Sequence, residues 1–179
     1  MESKALAGIE AYLKDQPTRP PIEQWQPDLS GDIAIVIKPD GSWWHEGGEI
    51  QRQPLLRLFA SILRREDDGE YYLITPVEKW RIQVEAQPLI ATDYQCITEQ
   101  GQSVFVFTLN TGLKYALSKQ YPLQVPSNEE GEPVPQLLLD RGLSARLSRS
   151  CYYRLVDEAQ LEGDDAFIES SGERFSLAG

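Results

Sequence analysis

Residues 42–66, SWWHEGGEIQRQPLLRLFASILRRE, hold the only histidine of the chain, two adjacent tryptophans, a glycine pair and an arginine just ahead of a proline. Upstream, residues 33–37 are apolar throughout, as expected of a strand covered on both faces. KPDG follows as a tight-turn signal, and a second strand through Trp43, Trp44 and His45 completes a hairpin. Pro54 suits the first position of a helix, with Gln53 just outside it. On that helix Leu55, Leu56, Leu58, Phe59, Ile62 and Leu63 make one apolar arc, and Arg57 and Arg64 occupy the opposite, solvated face. EDDGE turns the chain, and YYLITPVEKWRIQVEAQP reads as further strand.

Toward the N-terminus, residues 3–14 have Ser3 as an N-cap and Ala5, Leu6, Ile9, Tyr12 and Leu13 at helical spacing. DQPTRPP ends that helix, because proline cannot continue it and biases its neighbour toward extended geometry. IEQWQPDLSG is then a connector anchored by Trp25. Toward the C-terminus, SVFVFTLNTGLKYALSK reads as strand, turn and strand, VPQLLLDRGLSARLSR ends in a short helix, and CYYRLVDEA returns as strand. IVIKPDGSWW is similar to VFTLNTGLKY, and RQPLLRLFASILRREDDGEYYLITPVE to a shorter RGLSARLSRSCYYRLVDEA. On that correspondence Arg141 matches Arg52, and Tyr152-Tyr153 matches Tyr71-Tyr72. Several matches in one order indicate internal duplication. The expected fold class is α+β: two related, mostly antiparallel units, each with a helix. An N-terminal helix and Pro-rich connector occupy 1–24, the first unit 25–88, and the second 89–179. The second carries an inserted hairpin near 124–135 (QVPSNEEGEPVP), and its tail, AFIESSGERFSLAG, is a final hairpin across Ser171-Gly172.

At 179 residues, one domain or two small ones are expected. No apolar run is long enough to span a bilayer, and residues 1–17 lack the apolar core of a secretory signal, so a cytoplasmic location is expected. Lys+Arg number 17 against 28 Asp+Glu, a net charge of −11, and the deficit is shared by both halves. A polyanion binder would carry a basic face, so nonspecific nucleic-acid binding is not expected, whereas a small anion held by a few arginines is. Cys96 and Cys151 form no C-x-x-C pattern, and with one histidine there is no zinc signature. Neither a G-x-G-x-x-G nor a P-loop sequence occurs, so no cofactor is expected. No G-x-S-x-G elbow is present, and neither cysteine has a catalytic context.

Among individual residues, His45 titrates nearest neutral pH. Glu46, its strand neighbour, is expected on the opposite face, whereas Glu49 could meet it across a Gly47-Gly48 turn. Arg52 stands beside a helix N-terminus, where exposed N–H groups already favour an anion and a guanidinium adds a bidentate fork. Arg141 is its expected counterpart. Trp44, or another of Trp25, Trp43 and Trp80, offers a stacking face, although large aromatics are commonly core. Thr75 and Glu78 at a strand end can accept hydrogen bonds from a ribose-like group, or simply close a turn.

The stretches PPIEQWQP, IKPDGSWWHEGGEI, RQPLLRLFASILRREDDGEYYLITPVEKWRIQVE and FTLNTG resemble a proteobacterial family called domain of unknown function 1285. The likeness runs from about Pro20 to the C-terminus. It implies a duplicated α+β fold whose C-terminal part is superficially similar to pleckstrin-homology-like domains. It also implies a nucleotide-like ligand between the two parts and a role in signal transduction. The leading expectation is therefore a small sensor that holds an anionic, nucleotide-like ligand through Arg52, Arg141, His45, Trp44, Thr75 and Glu78. A protein–protein adaptor using the C-terminal sheet is the alternative, and a hydrolase built on His45 comes third. A homodimer is the default assembly, since twofold dimers are common.

Overall fold

The computed structural model describes residues 19–178, so the helix expected over residues 3–14 lies outside the described residues. The chain divides into two compact units, Met1–Ala86 and Gln87–Gly179.

The first unit holds two short meanders. The first comprises β1 (Gly31–Ile37), β2 (Trp43–His45) and β3 (Gly48–Glu49). Helix α1 (Gln53–Ala60) follows, and then β4 (Leu63–Arg65), β5 (Tyr71–Ile74) and β6 (Lys79–Val84). Within each meander the strands are antiparallel, and β1 lies parallel to β6, giving one sheet in the order β3-β2-β1-β6-β5-β4. At the start of the parallel pair Gly31 has φ 143° and faces Trp80. A Cβ there would stand 3.1 Å from the indole, so both the backbone and the space select glycine.

β1 is buried on one face only. Ile33, Ile35 and Ile37 are buried, while Ala34 is exposed and Val36 half-buried, which corrects the two-sided reading. The run looked continuous because the open face carries alanine and valine instead of polar residues. The KPDG turn is as read: Gly41 N donates to Lys38 O at 2.9 Å, and Gly41 has φ 86°. α1 ends at Ala60, short of the expected end, with Ser61 as its C-cap. The Ser61 hydroxyl donates to Leu58 O at 2.6 Å, and the chain leaves as β4, so Arg64 belongs to a strand. The buried side of the unit is built from these isoleucines with Ile62, Leu63, Leu73 and Phe59, whose ring lies against Trp43 at 6.2 Å.

The second unit repeats this plan. β7 (Leu89–Glu99), β8 (Gln102–Leu109) and β9 (Lys114–Ala116) form one meander, and β10 (Leu123–Gln124), β11 (Gln136–Leu138) and β12 (Ser144–Leu147) the other. β7 lies parallel to β12, so the order β9-β8-β7-β12-β11-β10 matches β3-β2-β1-β6-β5-β4 strand for strand. The duplication is therefore one of topology. Helix α2 (Arg149–Asp157) comes after the second meander instead of between the two, and β13 (Gln160–Glu162), β14 (Asp165–Ser170) and β15 (Glu173–Ser176) form a small third sheet. Buried Ser170 ties that sheet down, accepting from Phe105 N at 2.9 Å and donating to Leu117 O at 2.7 Å.

The sequence correspondences pair elements that are not equivalent. KPDGS and LNTGL make the same glycine-closed turn, with Gly112 N donating to Leu109 O at 2.9 Å, but one joins β1 to β2 and the other β8 to β9. CYYRLVD, expected as strand, is helix α2, and the helix expected before it is β12. Tyr71-Tyr72 are on a strand and Tyr152-Tyr153 on a helix.

Because Phe59 is fully buried against Trp43, Phe59→Ala should lower unfolding free energy by about 3–5 kcal/mol in urea titrations. A loss below about 1 kcal/mol would show that this contact does not organise the first unit.

Candidate functional site

His45 pairs with Ile35 and therefore faces the buried side of the first sheet, where its side chain is 12 % exposed. Its Nε2 is buried and has no hydrogen-bond partner among the described residues. The turn after it is Glu46-Gly47, with φ 51° and 84°, and both central residues at positive φ is the signature of a two-residue hairpin turn. That geometry releases Glu46 from strand alternation, so its Oε1 comes within 3.9 Å of His45 Nε2, contrary to the expected opposite facing. The separation exceeds hydrogen-bond distance. Glu49 pairs with Trp44 and not with His45. No proton-transfer pair is assembled here.

The other expected contacts in this unit are mostly engaged locally. Trp44 Nε1 donates to Ser42 Oγ at 2.9 Å, and the Lys38 ammonium lies 3.9 Å from its ring centroid, so a cation already covers one indole face. Thr75 Oγ1 accepts from Glu78 N at 3.0 Å, Thr75 N donates to Glu78 O, and a Glu78 carboxylate oxygen accepts from Trp80 Nε1 at 3.1 Å. Together these close the β5–β6 turn. Arg52 is the N-cap residue of α1, exposed and without an ion pair to any described residue. Arg141 occupies a hairpin turn between β11 and β12, with φ 61° followed by Gly142 at 70°, and is not beside a helix N-terminus.

Arg64, expected on a solvated helix face, is the hub of a structural cluster. Its Nη1 donates to Ile22 O at 3.0 Å and Trp25 O at 3.1 Å, and its Nη2 meets a Glu66 oxygen at 2.6 Å. Lys79 Nζ holds the other Glu66 oxygen at 2.8 Å. Burial opposes the Glu66 charge, but the Lys79 and Arg64 hydrogen bonds outweigh it and hold the carboxyl below the usual range. This cluster fastens the segment through Ile22 and Trp25 to the sheet.

The second unit holds an arrangement absent from the sequence reading. Ser148 caps α2, its Oγ accepting from Cys151 N at 3.3 Å. Arg149, Tyr152 and Tyr153 then fall at i, i+3 and i+4, on one side of the helix. With Arg146 of β12 and with Asn128 and Glu132 of the 124–135 hairpin, they line a groove of about 540 Å³. Arg149 is exposed and makes no ion pair among the described residues. Tyr153 is 59 % exposed, with its ring 6.2 Å from that of Tyr152. Burial, and then the neighbouring Tyr153, raise the Tyr152 phenol pKa, which keeps it a donor to Leu177 O at 2.7 Å. Cys151, beneath the same turn, is pushed up to about 12 by burial, so its thiol stays protonated. The missed signal was SRSCYYR: a serine cap followed by Arg and Tyr at helical spacing.

The fold defines an α+β protein of two topologically equivalent units. The chain belongs to the DUF1285 family: residues 20–87 match its N-terminal domain and residues 88–177 its C-terminal domain, both described as of unknown function. It is similar to the crystal structure of a DUF1285 family protein from Silicibacter pomeroyi DSS-3, with 34% identity over 96% of this chain and 94% of that one and a TM-score of 0.85. It is also similar to a DUF1285 family protein from Shewanella baltica OS155, at 34% identity over 72% of this chain and 94% of that one, with a TM-score of 0.58. No curated protein matches the chain. Among the described residues no helix is long and apolar enough to cross a membrane.

Because the folded-state pKa of Glu66 is depressed, its stabilisation is complete above the unfolded value of about 4.3 and is lost as pH falls through the folded value. Glu66→Gln should therefore be less stable than the parent by about 1–3 kcal/mol at pH 7, and the gap should close below about pH 4. Urea titrations across this range check it, and a gap that does not vary with pH would contradict the ion-pair account.

Proposed function

We propose that the protein is a binding protein for a small anionic ligand of nucleotide type, and that the groove at the start of α2 makes the contacts. One observation carries this reading. In a chain of net charge −11, Arg149, which has no ion pair among the described residues, shares a groove with Arg146 and with the exposed ring of Tyr153. The guanidinium fork suits a phosphate or carboxylate, and the α2 N-terminus adds a partial positive charge at the same place. The Tyr153 ring offers a face on which a base can stack, and Asn128 and Glu132, bonded to each other, also line the groove. The described residues around the groove include no nucleophile next to a base, so binding without turnover, as in a sensor, suits this chemistry better than hydrolysis. Arg52, exposed at the α1 N-cap, is the competing anion contact.

Thermal unfolding against a panel of nucleotides and simple phosphates tests the proposal. A ligand at about a hundredfold its Kd adds roughly 2.7 kcal/mol, a rise of several degrees in Tm for a chain of this size. The rise should disappear in Arg149→Ala and persist in Arg52→Ala. Loss in Arg52→Ala with retention in Arg149→Ala would move the site to α1, and a panel without any shift would remove the reading.

A further inference from the structure

β7 runs well past its neighbour on one side. β12 pairs with residues 89–91 only, whereas β8 continues along β7 to Glu99. Which backbone groups of the outer half are satisfied follows from β8. Phe105 N donates to Ser170 Oγ, Leu117 N donates to Phe105 O, and Ser171 N donates to Ser103 O, so Phe105 and Ser103 turn these groups away from β7. Their cross-strand partners are Cys96 and Thr98. In an antiparallel ladder these are the non-hydrogen-bonded pairs, whose N–H and C=O groups aim at the far edge. Tyr94, in phase with them, confirms the direction, since its C=O accepts from Arg154 Nη2 at 3.4 Å. Beyond that contact, no described residue pairs with the backbone N–H or C=O of Cys96 or Thr98.

A cavity of about 460 Å³ lies over the face of the β7–β8 pair that carries Cys96, Ser103 and Phe105, and it reaches β7 at Cys96. Glu158, Gln160 and Glu169 line it with Cys96, and no lysine or arginine does. Glu158 is the C-cap of α2, where the helix dipole is negative, and it accepts a hydrogen bond from the Tyr94 hydroxyl. A free edge beside a cavity of this charge fits an occupant that is extended and basic.

We propose that the outer half of β7 accepts an extended, basic segment of a partner protein as an added strand, with its Lys or Arg side chains entering the cavity between Glu158 and Glu169. Main-chain hydrogen bonds to Cys96 and Thr98 supply the pairing, and the alternating side chains supply selectivity. A second copy of this chain is a poor occupant: both edges would bring Glu99, Glu158 and Glu169, and the bulge at Thr92 twists the edge away from straight pairing. The site is at the opposite end of α2 from the anion groove and does not depend on it.

Fluorescence anisotropy of an acetylated, labelled heptapeptide of alternating valine and lysine, titrated with the full chain, tests this, alongside a peptide of alternating valine and glutamate. Saturable binding of the basic peptide alone is expected, weakened at least tenfold in Thr98→Pro. That substitution removes an N–H that β8 does not use, so the sheet should tolerate it. The double variant Glu158→Gln/Glu169→Gln should weaken binding by a similar factor, and it decides the matter if Thr98→Pro does not fold. Equal binding of both peptides, no binding of the basic one, or undiminished affinity in the folded variants would each overturn the proposal. So would a dimer of the free chain, seen by light scattering, that Thr98→Pro dissociates.

Discussion

In each unit, two three-stranded meanders become a single sheet only because the first strand of one lies parallel to the last strand of the other. A meander of three short strands, some only two or three residues long, has little independent stability. The parallel seam removes two sheet edges at once and brings the apolar faces of both meanders onto one side. In the first unit the seam favours Gly31, because its φ of 143° suits few side chains and a Cβ would stand 3.1 Å from the Trp80 indole. In the second it joins Leu89, Ile90 and Ala91 to Ala145, Arg146 and Leu147.

What differs between the units is where the helix is inserted. α1 bridges the two meanders and covers Trp43 through Phe59. α2 follows the second meander and packs along β7, with Arg154 held to Asp93 at 2.5 Å and set over the Tyr94 ring at 4.6 Å. Its two ends then carry opposite chemistry. Arg149 and Arg146 gather at the N-terminal end, and Glu158 and Glu169 at the C-terminal end, each in the sense that leaves the helix dipole to be complemented by a ligand of the opposite sign. The proposed anion groove and the proposed strand-docking edge both follow from that placement.

Much of this architecture was legible in the sequence, for identifiable reasons. The tight turns follow from glycine and aspartate or asparagine chemistry that few backbone geometries share, and the α+β class from helical spacing alternating with strand-like runs. The duplication is present in the strand order, although the sequence matches that suggested it pair elements that are not equivalent. The same chemistry misled the strand correspondence: KPDGS and LNTGL are alike because one turn type demands them, wherever it occurs. CYYRLVD was misread because Cys, Tyr and Val favour strands, and the cap at Ser148 overrode them. The apolar spacing that suggests a solvated helix face for Arg64 persists past Ala60, but the chain caps at Ser61 and leaves as a strand. Arg52 stands at a helix start as read, while Arg141 stands in a hairpin turn and not before a helix. The groove residues Arg149, Tyr152 and Tyr153 became visible only once their stretch was helical.

The most direct test of the ligand-binding account is a titration of the isotope-labelled protein with a nucleoside 5′-monophosphate, followed by backbone amide chemical shifts. The account predicts saturable changes concentrated on Ser148, Arg149, Tyr152 and Tyr153 and on Asn128 and Glu132. Changes centred instead on His45, Trp44 and Arg52, or none at all, would contradict it.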